Sequence, residues 1–184
     1  EQGGLDRLDL VPAARPPHKE NLDLLPFSER CRHLRLVLRG RPQLDLNPLE
    51  GERKGPSYTV DTLRQYRKLG PNAAIFFVLG GDEFLHLPQW HNWELIPELA
   101  HLLVASRGEE SLGFIRAFVA DWFPQARHVP RDPPLWELSY GGSIQVIDMP
   151  RLDISSTLIR DRLRRNKSLA WLVPQEVERE LLRG

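Results

Sequence analysis

At 184 residues, with 41% hydrophobic and 27% charged side chains, the chain is long enough to bury a substantial core within one domain. Lys+Arg and Asp+Glu number 25 each, which excludes a bulk electrostatic pull toward nucleic acid or anionic lipid, so any anion site must be local. A single cysteine, Cys31, excludes an intrachain disulfide and a cysteine-based zinc centre, and the longest apolar run, AAIFFVL, falls far short of the ~20 residues that cross a bilayer.

These bounds predict a soluble, cytoplasmic protein with neither a membrane nor a nucleic acid as partner. The opening EQGGLDRLDLVPA reads as the end of a helix stopped by Gly3 and Gly4 and followed at once by a strand, RLDLVPA. Ser28 is placed to cap a helix whose apolar positions Cys31, Leu34 and Leu38 recur at helical spacing, with Gly40 as its stop. QLDLN is a second strand. YTVDTLRQYRKLGP then predicts a helix with Val60, Leu63 and Tyr66 inward, capped by Ser57 or Thr59 and ended by Gly70-Pro71. AAIFFVLGGD is a continuous apolar run of the kind buried on both faces of a parallel sheet. AHLLVASR and SIQVIDMP are further strands, with an amphipathic helix from Leu112 to Phe123 between them. HVPRDPPLWELSYGGS reads as loop. The tail VPQEVERELLRG starts a helix at Pro174 with Val177 and Leu181 on one face. Strands alternating with helices predict an α/β fold, a mostly parallel sheet flanked by helices, over a single domain 1–184.

Five stretches carry candidate chemistry. In LDISSTLIRDRL a strand passes into a helix whose first turn holds Ser155, Ser156 and Thr157, with Arg160 one turn further in. Free N–H groups, hydroxyls, the positive end of the helix dipole and a guanidinium fork suit a phosphate there, although ordinary capping explains the hydroxyls equally well. VPAARPPHK follows a strand and presents His18 and Lys19 from a proline-stiffened loop; a rigid surface loop with incidental charges explains it too. PSYTVDT exposes the first-turn N–H groups of a helix, which suit an anion or serve only as a helix start. LGGDEF places Asp82 beyond a strand end, where a carboxylate can grip ribose and glycines permit close approach, or where the glycines merely make a turn. LPQWHNWEL offers Trp90 as a stacking platform worth roughly 1–3 kcal/mol, against the core packing expected of Trp93. The other histidines, His33, His86, His101 and His128, show no metal-ligand spacing, so no protein metal centre is expected.

In this order and spacing, VPAARPPHK, PSYTVDT, GGDEFLHLPQWHNWEL and LDISSTLIRDRLRR resemble the bacterial nicotinate mononucleotide adenylyltransferases over nearly the whole chain. The resemblance implies a Rossmann-like nucleotidyltransferase fold that joins the adenylyl group of ATP to nicotinate mononucleotide, giving deamido-NAD and pyrophosphate in NAD biosynthesis, with Mg²⁺ accompanying ATP. It implies that Ile154, Ser155, Ser156, Thr157 and Arg160 hold ATP phosphates, that His18 and Lys19 close over them, and that Gly80 and Asp82 form a nucleotide-binding turn. Lys19 and Arg160 are the implied catalytic cations. Tyr58, Thr59, Trp90 and His91 match the nicotinate pocket, the ring stacking on the tryptophan and N–H groups near Thr59 and His91 receiving its carboxylate. The family's His-x-Gly-His pattern, whose histidines contact ATP phosphates, is absent from the chain. The expectation is that the first strand, the phosphate loop and the first helix belong upstream of Glu1, and that without them the chain is badly impaired. Adenylyltransferases acting on nicotinamide mononucleotide or phosphopantetheine, and a catalytically impaired nucleotide-binding module, are the alternatives; a homo-oligomer is left open.

Overall fold

The computed structural model describes residues 4–17, 24–106, 109–150 and 152–182. Its contacts divide the chain into two compact units, one spanning Ser57–Arg151 and the other Leu5–Pro56 with Leu152–Gly184.

The first unit is built on a five-stranded sheet. In chain order it contains α2 (Thr59–Leu69), β3 (Phe76–Gly80), α3 (Gly81–Leu85), α4 (Ile96–Leu99), β4 (His101–Ser106), α5 (Glu109–Trp122), β5 (Arg127–Val129), β6 (Leu135–Glu137) and β7 (Ser143–Asp148). The strand order is β3-β4-β7-β6-β5. β3, β4 and β7 run parallel, whereas β6 is antiparallel to β7 and β5 to β6. The sheet is therefore mixed, and the segment read as loop holds two of its strands. Trp136 of β6 is buried and its ring lies 5.5 Å from that of His128 on β5, so apolar burial recruits three residues on each side of a proline-rich turn. An ion pair between Arg127 and Glu137 joins the same two strands.

The core of this unit forms where α2, α3 and α5 lay their apolar stripes on β3, β4 and β7. Val60, Phe84, Leu102, Val104, Ile115 and Ile144 are fully buried there, each contributing about 1.5–3 kcal/mol through the apolar surface removed from water. β3 departs from the expected two-sided burial. It has one hydrogen-bonded neighbour, β4, among the described residues, and Val78 at its centre remains 39% exposed. A sheet edge cannot be covered as an interior strand is.

Packing also fixes certain glycines. A Cβ on Gly142 would lie 2.4 Å from the carbonyl oxygen of Pro97 and on Gly81 3.0 Å from Ser111 Oγ. Because the Gly142 obstacle is backbone, Gly142→Ala is expected to lower stability by about 1–3 kcal/mol, read as a fall in the thermal midpoint; an unchanged midpoint would show that the turn before β7 yields easily.

The second unit contains β1 (Leu8–Leu10), α1 (Phe27–Leu38), β2 (Leu44–Leu46), α6 (Ser156–Arg164) and α7 (Gln175–Leu181). β1 and β2 pair in parallel, Leu8 opposite Leu44 and Leu10 opposite Leu46. Cys31 is buried on α1, and Arg32 of α1 pairs with Glu180 of α7. The helix begins before Ser28, which is therefore not its cap: Pro26 occupies that position, its φ of −48° directing the chain into the helix and its carbonyl accepting from Arg30 N–H at 3.1 Å. No helix among the described residues is long and apolar enough to cross a membrane.

Candidate functional site

The start of α6 develops directly from ISSTLIR. Ser155 sits just outside the helix in extended conformation (φ −133°, ψ 156°), and its Oγ accepts from Leu158 N–H at 3.1 Å. That bond realises the capping role and uses the hydroxyl as an acceptor, leaving its O–H free to donate. The N–H groups of Ser156 and Thr157 form no hydrogen bond among the described residues and stand at the positive end of the dipole. Ile154, Ser155, Ser156 and Thr157 are all exposed.

Among the arginines of α6 and its C-cap, Arg164 is exposed, and Arg160 differs from the other two. Arg165 pairs with Asp161 at 2.9 Å, and Arg162 donates to the Ser168 carbonyl at 2.8 Å. Arg160 is half-buried yet makes neither a hydrogen bond nor an ion pair among the described residues. A partly desolvated guanidinium without a counter-charge costs stability unless an anion arrives. One turn from the open N–H groups, it is positioned to receive one.

A second cluster lies within the first unit. Tyr58 is the residue from which α2 departs, and its carbonyl accepts from Asp61 and Thr62 N–H. Tyr58 at the cap position makes no side-chain cap hydrogen bond, and Thr59 is already the first helical residue, so neither Thr59 nor Ser57 occupies the cap position expected of it. The N–H groups of Thr59 and Val60 consequently form no hydrogen bond among the described residues. Across from them runs the turn 90–93. Trp90 N–H donates to the Leu87 carbonyl at 2.9 Å, and the Trp90 ring meets Phe77 of β3 edge-on at 6.1 Å. The His91 ring stacks on Tyr58 with centroids 4.2 Å apart at 26°. The stack joins Tyr58, next to Thr59, to His91, next to Trp90, across some 30 positions of sequence. Trp93 instead packs against Trp122 and Phe123 at 5.6 and 6.0 Å, the structural role expected of it.

Gly80 and Asp82 stand at the carboxyl end of β3, where Gly80 is in register with Ala105 of β4, the sheet edge at which open α/β folds bind ligands. Asp82 is exposed in the first turn of α3, and its carbonyl accepts from His86 Nδ1 at 2.7 Å. Close approach is demanded of Gly81 rather than Gly80, around which a Cβ would meet nothing within 4 Å. At the opposite end of the strands His101 hydrogen-bonds Ser143 Oγ at 2.8 Å and stacks on Phe76. Burial, reinforced by Arg67, holds its pKa below the ordinary histidine value, as suits a packing group. His18 and Lys19 lie outside the described residues. Asn92, which no sequence motif singles out, adopts a left-handed backbone between His91 and Trp93; asparagine's tolerance of that conformation is the only signal in the sequence.

Comparisons with known proteins bear on the family and the fold. The cytidylyltransferase-like family model matches residues 1–162. A relative from Trichlorobacter lovleyi named "Probable nicotinate-nucleotide adenylyltransferase" is 37% identical over 183 residues, covering 97% of this chain and 83% of its own. Relatives of the same name from Geobacter sulfurreducens and Pelobacter propionicus are 36% and 34% identical, each covering 95% of this chain and 81% of its own. Among solved structures, Plasmodium falciparum nicotinic acid mononucleotide adenylyltransferase complexed with NaAD superposes with a TM-score of 0.68 at 17% identity, over 97% of this chain and 81% of that one. The latter likeness establishes a Rossmann-type fold, and the identities set the kinship: the chain belongs to the nicotinate-nucleotide adenylyltransferases within the cytidylyltransferase-like family.

Proposed function

We propose that the protein transfers the adenylyl group of ATP to nicotinate mononucleotide, releasing pyrophosphate and forming deamido-NAD. The observation that carries this reading is the Tyr58–His91 stack, which joins the start of α2 to the Trp90 turn. An anionic substituent on a planar ring suits that junction: the indole offers a face, and the N–H groups of Thr59 and His91 offer donors. ATP phosphates are assigned to Ile154, Ser155, Ser156, Thr157 and Arg160, with Gly80 and Asp82 on the nucleoside and His18 and Lys19 completing the phosphate contacts.

Such a transfer asks little covalent chemistry of the protein. The phosphate of the mononucleotide attacks the α-phosphorus of ATP in line and pyrophosphate leaves, so catalysis is positioning plus neutralisation of developing charge. Arg160 supplies a fixed cation for the phosphates, with Lys19 as the second catalytic cation. Mg²⁺, entering with ATP, would neutralise charge on the leaving group.

A cytoplasmic location, where ATP is abundant, is part of this proposal. Selectivity gives the direct test of the pocket. One charge-assisted hydrogen bond contributes about 1.5–3 kcal/mol, which predicts roughly ten- to hundredfold preference for nicotinate over nicotinamide mononucleotide in kcat/KM. Equal efficiency with both would remove the pocket assignment.

A further inference from the structure

Asn92 starts the 3-10 turn Trp93–Leu95, where its carbonyl accepts from Leu95 N–H at 3.1 Å, and is under two restraints. Its backbone sits at φ 49°, ψ 43°, and its Nδ2 lies 3.1 Å from Nε2 of His91. A carboxamide nitrogen only donates, so His91 Nε2 is the acceptor and the ring carries its hydrogen on Nδ1. On its face the same ring is stacked on Tyr58. His91 and Asn92 are both exposed. An exposed imidazole normally keeps its rotamer freedom, whereas these two contacts favour one orientation and one tautomer. Such preorganisation favours a ligand that the ring must meet ready-made.

We propose that Asn92 is a positioning residue for the pyridine substrate, acting through His91: it turns the chain after the Trp90-His91 pair and fixes the imidazole as an Nδ1–H donor against Tyr58. The proposal rests on the nicotinate pocket described above and adds to it a residue that contacts no reacting atom. An Nδ1–H held in place is a donor suited to a carboxylate, and it complements the backbone N–H groups of Thr59 and His91.

Asn92→Gly separates the two restraints, because glycine keeps the left-handed backbone at no steric cost and deletes only the carboxamide. In the full-length gene product at mildly alkaline pH, long-range ¹⁵N–¹H correlation spectra of His91 should show the Nδ1–H form in the wild type and a shift toward Nε2–H in the variant. Nicotinate mononucleotide should bind the variant about three- to tenfold more weakly, with ATP affinity and thermal midpoint unchanged. An Nε2–H ring in the wild type, or an unchanged tautomer in Asn92→Gly, overturns the role of Asn92 alone. If the tautomer shifts but both Asn92→Gly and Trp90→Ala bind nicotinate mononucleotide as the wild type does, the pocket reading falls and this role falls with it.

Discussion

Replacing Arg160 by alanine is expected to lower kcat by about 10²–10³-fold, the usual loss on removing a donor aimed at charge that develops in a transition state. Arg160 is half-buried on α6, one turn inside the open N–H groups of Ser156 and Thr157, and has no counter-charge among the described residues. On the proposed function this group serves a ligand rather than the fold. Two consequences distinguish this role from packing. The thermal midpoint of the variant should hold or rise, since an unpaired, partly desolvated cation is being removed. Arg160→Lys should recover only part of the rate, because an ammonium cannot reproduce a bidentate fork on phosphate oxygens. Steady-state kinetics beside thermal unfolding check both, and a destabilised variant with normal kcat would assign Arg160 to structure.

Trp90→Ala carries the second large expectation. Loss of a stacked aromatic ring costs about 1–3 kcal/mol per base in comparable platforms, which predicts a KM for nicotinate mononucleotide raised roughly five- to 150-fold. The KM for ATP should change far less, since the stacked ring belongs to one substrate. Trp90 also touches Phe77 of β3 edge-on, so some loss of stability accompanies the change. The ratio of the two KM effects is therefore the informative quantity: an equal rise in both would mean that the indole serves the core alone.

The elements with a clear period were legible from the amino-acid sequence. Val60 and Leu63 mark the buried face of α2 at helical spacing, and the run that ends in Gly80-Gly81 gives β3 with the glycines at its close. What escaped depends on partners distant in sequence. β5 and β6 are three residues each, too short for any period, and exist because Trp136 is buried and β7 offers a free side. The exposure of Val78 follows from which strands neighbour β3, information that a local apolar run does not contain. Helix entries at Ser28 and Thr59 were misplaced because the hydroxyl residues lie inside the first turn, and Pro26 and Tyr58 hold the cap positions without side-chain bonds.

Legibility of the candidate site was similar. ISSTLIR announced both a cap and an anion site, and the structure makes Ser155 a cap while leaving two N–H groups and Arg160 open. The convergence of Tyr58 with His91 is a contact across 33 positions that motif spacing could only suggest. Asn92 stayed hidden because an asparagine in a turn is ordinary until its φ and its hydrogen bond to His91 are seen.

Product formation tests the central claim most directly. The full-length gene product, incubated with ATP, nicotinate mononucleotide and Mg²⁺, should release pyrophosphate and deamido-NAD in equal amounts, followed together by ³¹P NMR. Tight binding of both nucleotides with no pyrophosphate released would contradict it and leave a nucleotide-binding module in place of an adenylyltransferase.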